Sequence, residues 1–247
     1  MIILIIVLVG LCIASFIETA AYRVSRGISL IHPPSFCDSC QKRLKIYDLI
    51  PVVSYAILGG KCRYCDAKIP FRYLLVELLI PSLYVFIYLN YKNIYSFFLL
   101  SYLLTILIYM SMLDIDSGYI SFIDIVLLYL GSVGLIVLSY VGLIPKGVSF
   151  YLYGALTGLA LILLSFLIIL LIKKKIPMGT GDLLVIPAVT LFFGFRGAIT
   201  VLITASVSGL FIGIALILFG VVKRNYKFPM IPYITLGVIM EILLFQH

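Results

Sequence analysis

Lys173-Lys174-Lys175-Ile176-Pro177-Met178-Gly179-Thr180-Gly181-Asp182 stands between two long apolar runs and decides how the chain is read. A lysine triplet followed by an acid at the head of a new apolar segment marks a membrane boundary. An ionisable group at such a helix start is costly to keep and is therefore a functional candidate. Gly179 and Gly181, without side chains, let another backbone come close to Asp182. A second acidic stretch, Leu113-Asp114-Ile115-Asp116-Ser117-Gly118-Tyr119-Ile120, lies at another membrane boundary. Each acid alone could be an N-terminal helix cap favoured by the dipole. Together, one of them behind Gly-x-Gly, they suggest two catalytic carboxylates of an aspartyl hydrolase inside a membrane.

The composition agrees. Of the 247 residues 64% are hydrophobic and 11% charged, and the mean hydropathy is +1.24; an ordinary water-soluble globular protein is excluded. Apolar runs near the roughly 20 residues that cross a bilayer fall at about 2–21, 71–91, 95–113, 120–142, 150–172, 183–195, 198–222 and 230–246. The fold class is thus all-α, a polytopic membrane protein with about eight transmembrane helices. The run at 183–195 is short, and Gly194 and Gly197 could make 183–222 a broken pair or one long kinked helix.

A net charge of +8 raises nucleic acid as a partner, but in a membrane protein the division of Lys and Arg between loops matters more. With eight spans, nine basic residues lie in the loop from Arg23 to Arg72, three at Lys173–Lys175, and three at Lys223, Arg224 and Lys227. These loops share one side, which the positive-inside rule assigns to the cytoplasm; the opposite loops hold Lys92, Lys146 and Arg196. The expectation is a cytoplasmic-membrane protein with the lipid bilayer as its setting, both termini extracytoplasmic and no nucleic-acid partner. The same parity puts Asp114 and Asp182 at one membrane face, where they can meet.

The chain divides into a first transmembrane helix (1–22), a soluble cytoplasmic loop (23–70) and a seven-helix membrane domain (71–247). The first helix lacks a basic n-region and a small-residue cleavage site, and so reads as an uncleaved span. In the loop, Cys37-Asp38-Ser39-Cys40 and Cys62-Arg63-Tyr64-Cys65 form two C-x-x-C pairs separated by 21 residues. Each pair places two thiolates on one knuckle, and two knuckles supply the four soft ligands of tetrahedral zinc. A reducing cytoplasmic setting argues against disulfides. Four protein ligands leave no open position, so the zinc is structural.

Further acids need assignment. Glu18 lies in the last turns of the first span, facing a cavity or pairing with Arg23. Glu77 lies about one turn inside the second span, pairing with Arg72 or lining the site. Glu241 reads as interfacial. Asp114, Asp116 and Asp124 compete for one catalytic role, because the turn at Ser117-Gly118 interrupts any simple helical face. His32 and His247 lie outside the spans, and no H-E-x-x-H, G-x-S-x-G or P-loop motif occurs.

As a set these motifs resemble the type IV prepilin peptidases, a bifunctional leader peptidase and N-methyltransferase branch of the GxGD intramembrane aspartyl proteases. The likeness runs along almost the whole chain. It rests on Gly10, Ser15-Phe16 and Tyr22-Arg23, the paired C-x-x-C knuckles with Asp48-x-Ile50-Pro51 between them, and Gly60-x-Cys62-Arg63-x-Cys65. It continues through Arg72-Tyr73-x-x-Val76-Glu77-Leu78, the aspartate turn, Gly179-x-Gly181-Asp182 and prolines 229 and 232. The resemblance implies that Asp114, with Ile120 six residues on, and Asp182 are the catalytic acids. It implies cleavage of the short basic leader of prepilin or pseudopilin precursors, then methylation of the new N-terminus with S-adenosylmethionine. The chain departs from the family pattern at three places: Ser121 where a proline is usual, Leu184 where a lysine is usual, and Glu18 where an asparagine is common.

Two carboxylates held close share a proton, one acting as base on water while the other protonates the carbonyl or leaving group. The rival reading is a proton- or cation-coupled transporter using Asp114, Asp182, Glu77 and Glu18. Transporters of that kind show inverted repeats, and this sequence shows none.

Overall fold

The computed structural model describes residues 1–173, 180–222 and 228–244. Gly179, with Lys174 and Lys175 before it and Lys223, Arg224 and Lys227 later, lies outside the described residues. Among the described residues the backbone is helical apart from loops and two isolated β-bridges, Phe36 with Arg43 and Lys61 with Lys68. The chain forms two compact units, Met1–Asn90 and Tyr91–His247.

The first unit consists of α1 (Ile2–Ser25), the cysteine loop with a 3-10 turn (Ile46–Leu49) and the short α2 (Val53–Ile57), and α3 (Phe71–Asn90). α1 packs along α3. Gly10 permits this, since a Cβ there would lie 2.8 Å from Pro81 Cα on α3. Arg23, in the last turn of α1 where the helix dipole favours a cation, folds the following loop back. Its guanidinium donates to the carbonyls of Ser29 at 2.9 Å, Leu30 at 3.1 Å and Pro33 at 2.6 Å.

The second unit holds α4 (Ile94–Ser117), α5 (Phe122–Tyr140), α6 (Val148–Lys173), α7 (Thr180–Thr190), a 3-10 turn (Leu191–Phe193), α8 (Gly194–Leu218) and α9 (Ile231–Leu244). Asn93 caps α4 by accepting from the Tyr95 and Ser96 amides, and Gly118, in the left-handed region at φ 65°, ends it. Ser121 and Asp124 form a capping box that starts α5.

Each of the eight apolar runs is a helix, but they are not equal. Six stretches are long and apolar enough to cross a membrane: α1, α3, α4, α5, α6 and the run Gly181–Leu218. α7, of 11 residues, and α9, of 14, are shorter. The Gly181–Leu218 run is broken, as the Gly194 alternative anticipated: Pro187 removes one backbone donor inside α7, and Gly194 at φ 65° turns the chain. Gly154, near the start of α6, meets Thr190 and Gly194, so α7 runs antiparallel to α6. Gly197 and Thr200, early in α8, meet Glu241 late in α9, so α8 and α9 are antiparallel too.

Glycines set the helix spacing. Gly154 and Gly158, one turn apart on α6, lie directly against Thr190, and Gly237 of α9 lies against the Val201 carbonyl of α8. Small residues at such seams let helices approach in a bilayer, where apolar side chains gain nothing by leaving lipid. Glu241 is 2% exposed, packed against other helices. It accepts from the Thr200 hydroxyl, in room that Gly197 leaves by having no side chain.

Gly158→Ala forces a methyl into Thr190 and is expected to destabilise the detergent-solubilised protein by about 2 kcal/mol, the usual size of an overpacking cost. Gly134→Ala, whose methyl would lie 3.7 Å from Leu99, should leave the thermal midpoint nearly unchanged. Equal midpoints for the two variants would contradict a close α6–α7 seam.

Candidate active site and metal centre

Asp114 sits in the last turn of α4, half-buried. Its Oδ2 accepts the Ile231 amide at 3.1 Å, and the Met230 amide also donates to it. These are the first amides of α9, which as a helix start have no partner within their own helix. Asp114 therefore caps α9, a helix whose start is 117 residues away in sequence. The signal for this was Pro229-x-x-Pro232, which marks a helix entry, but nothing local names the acceptor.

Asp182 is half-buried in the first turn of α7. Among the described residues, the charged group that acts on it is the Asp114 carboxyl. The fold thus brings together the acid ending α4 and the acid starting α7. Gly181 lies against Ile120, whose Cδ1 would be 3.5 Å from an added Cβ.

The competing acids fall elsewhere. Asp116 is exposed. Asp124 is 2% exposed, and its carboxylate accepts the Ser121 amide at 2.8 Å and the Tyr109 hydroxyl; it is a helix cap. Glu77 accepts the Val52 amide at 2.6 Å. Val52 has a positive φ of 63° and precedes α2, so Glu77 ties the loop to α3 within the first unit. Its proximity to a buried acid, Glu18, is also a tertiary feature.

The four loop cysteines converge in the first unit. The sulfurs of Cys37, Cys40, Cys62 and Cys65 all lie within 4.8 Å of one another. The two pairs are built alike: the Cys37 amide bonds the Lys42 carbonyl at 3.0 Å and the Cys62 amide the Ala67 carbonyl at 2.8 Å. In each pair the fourth residue after the first cysteine is left-handed, Gln41 at φ 57° and Asp66 at φ 55°. Sulfurs 2.3 Å from a tetrahedral zinc ion would be about 3.8 Å apart, and Cys37 and Cys65 are separated by 3.8 Å. The group could hold zinc. The Ala67 backbone bond favours a Cys65 thiolate, but desolvation and the neighbouring sulfurs outweigh it and push the thiol up to about 12. Crowded thiols of this kind become thiolates readily beside a cation.

Between the knuckles, Asp48 pairs with Arg63 at 2.7 Å and accepts the Lys45 amide at 3.2 Å. Desolvation works against this carboxylate, but the Arg63 and Lys45 contacts prevail and hold its carboxyl below the usual range.

The chain is similar in sequence to known proteins along most of its length. Residues 8–91 match the family model for the bacterial peptidase A24 N-terminal domain. The chain is similar to the prepilin leader peptidase/N-methyltransferase of Neisseria gonorrhoeae, 29% identical over 244 residues, with 89% of this chain and 83% of the relative covered. It is 25% identical over 254 residues to the protein of the same name from Pseudomonas aeruginosa, with 94% and 86% covered. The type 4 prepilin-like proteins leader peptide-processing enzyme of Escherichia coli is 28% identical over 255 residues, with 95% and 91% covered. No solved structure gives a significant match.

Cobalt(II) added to the metal-stripped protein should give the intense near-ultraviolet absorption of thiolate coordination with about one equivalent bound, as a four-thiolate site requires. Cys40→Ser should lose that band and lower the folded yield. A cobalt spectrum unchanged in Cys40→Ser would refute the site.

Proposed function

We propose that this chain, an enzyme of the prepilin leader peptidase/N-methyltransferase kind, is an intramembrane aspartyl endopeptidase. It removes the short basic leader of type IV prepilin-like precursors at the cytoplasmic face of the bacterial inner membrane. It then methylates the new N-terminus. The observation that carries the peptidase reading is the meeting of Asp114 and Asp182 from the ends of two helices. The relatives' names carry the substrate class and the methylation.

In this reading Asp114 is the base. An oxygen that accepts the α9 amides is oriented before substrate arrives, and its partner oxygen takes a proton from water as the water attacks the scissile carbonyl carbon. Asp182 is the acid: it gives its proton to the carbonyl oxygen, and as the peptide bond breaks the proton held by Asp114 passes to the leaving nitrogen while a hydroxyl of the gem-diol returns a proton to Asp182. Gly181, and Gly179 beside it in sequence, leave the approach to Asp182 free of side chains for an extended substrate strand. Zinc at Cys37, Cys40, Cys62 and Cys65 is structural in this proposal, because four thiolates fill its coordination. S-adenosylmethionine supplies the methyl group of the second reaction.

The test is cleavage of a basic-leader pilin precursor by protein purified in lipid. Asp114→Asn and Asp182→Asn should each lose at least about 100-fold in kcat/KM, the scale of a general acid–base contribution, while Asp116→Asn stays near wild type. A folded wild type that leaves the precursor uncut, or an Asp182→Asn variant that cuts normally, would overturn the reading.

A further inference from the structure

In the first unit the Val52 amide donates to the Glu77 carboxylate at 2.6 Å, and this contact sets the depth of the short α2. Val52 directly precedes α2 and stands at φ 63°, a backbone region that a β-branched residue rarely adopts. Glu77 lies six residues after Phe71, the first residue of α3, and so about 9 Å along that helix. α3 is apolar enough to cross a membrane. Its 20 residues rise about 30 Å, the hydrocarbon thickness of a bilayer. A span of that length has no turn to spare for water, so the tie to Glu77 holds the start of α2 level with acyl chains.

The side chains of α2 divide accordingly. Tyr55 turns to the loop, where its ring lies against Gly60 and its hydroxyl reaches the Ile69 carbonyl at 3.5 Å. Val53 and Ile57, four residues apart and so on one helix face, are 48% and 74% exposed. The 3-10 turn that touches α2 adds Ile46, 88% exposed. Single exposed apolar residues are ordinary on a protein in water, but these belong to a segment held where hydrocarbon replaces water. Just before Ile46, Lys42, Arg43 and Lys45 are exposed. Tyr47 carries the Lys45 ammonium 5.6 Å and the Arg63 guanidinium 4.8 Å from its ring centre. From Arg23 to Arg72 nine basic residues stand against three acids, the charge complement of anionic headgroups. Apolar side chains flanked by an aromatic ring and cations are the composition of a segment that lies in a lipid surface.

We propose that α2, held at that depth by Glu77, is seated in the bilayer leaflet on the loop's side of the membrane, with Val53 and Ile57 among acyl chains and Tyr47 and its cations at the headgroups. The partner is the lipid itself. Residues 23–70 are then not wholly aqueous. The packing of Tyr55 against Gly60, two residues before Cys62, also carries the seat into the second cysteine knuckle and fixes its height above the membrane. This holds whichever reaction the two aspartates perform.

The chain has no tryptophan, so one substitution gives a clean depth probe. Ile57→Trp is compared with Phe16→Trp, whose site on α1 is 65% exposed and within a span, in nanodiscs made with phospholipids brominated on their acyl chains. Both probes should lose their emission to the bromine and resist iodide added to the water. Glu77→Ala cuts the tie: combined with Ile57→Trp it should weaken the bromine quenching and admit iodide, while combined with Phe16→Trp it should change nothing. An Ile57→Trp probe that iodide quenches and bromine does not would overturn the proposal, as would bromine quenching that Glu77→Ala leaves intact. A probe that neither quencher reaches would put protein over this face, whether a precursor, a second copy or another part of the chain, and overturn it as well. If a variant fails to fold, a phospholipid with a photoreactive acyl chain is added to wild type: within residues 1–90, label at 46–57 supports the seat, and label confined to 2–25 and 71–90 refutes it.

Discussion

The bond from the Ile231 amide to the Asp114 carboxylate is the contact on which the second unit turns. The first amides of any helix lack partners in their own helix, and hydrocarbon offers no water to replace them. The acid that ends α4 supplies the acceptor for α9. One contact thereby ties the entry of the last helix to the end of α4 and orients the carboxylate that meets Asp182. Gly118 stops α4 just beyond Asp114, and the Ser121–Asp124 box starts α5 at once. The loop between has little freedom to let Asp114 drift. In the proposed peptidase reaction a carboxylate held this way would need little reorganisation on substrate binding, the property that makes electrostatic catalysis effective.

At its other end α9 is tethered by its own Glu241, which accepts from Thr200 of α8 in space left by Gly197. A helix of 14 residues rises only about 21 Å, short of the hydrocarbon thickness, so polar ties at both ends suit it better than apolar burial alone. The seams on its flank and across α6 are made of glycine for the related reason that backbone contact replaces the missing hydrophobic drive between helices in lipid.

The first unit is held by different means. It has a long polar loop and little apolar core, and its order comes from crosslinks: two knuckles of the same geometry, the Arg23 guanidinium gathering three carbonyls, and Glu77 holding Val52. Against that economy, a buried carboxylate such as Glu18 with a bare oxygen stands out. Every other acid in the unit whose contacts are described is bonded to an amide, a hydroxyl or a guanidinium.

Composition by itself determined that the chain is helical and membrane-spanning, because a backbone in hydrocarbon must satisfy its own hydrogen bonds, and all eight apolar runs are helices. Spacing determined the cysteine group, because a C-x-x-C pair sets its sulfurs on one turn whatever surrounds it. The short α7 was legible as an irregularity, since Pro187 and Gly194 act locally. Tertiary structure alone decided which acids meet. Asp114, Asp116 and Asp124 carry the same chemistry in the same local pattern, and they differ in where packing puts them: the first against α9 amides and Asp182, the second at an exposed position, the third against a serine amide and a tyrosine. The burial of Glu18 and Glu241 is likewise a property of packing. An apolar pattern tells a helix to enter the membrane, but many packings satisfy that pattern equally, and contacts between distant residues depend on which one forms.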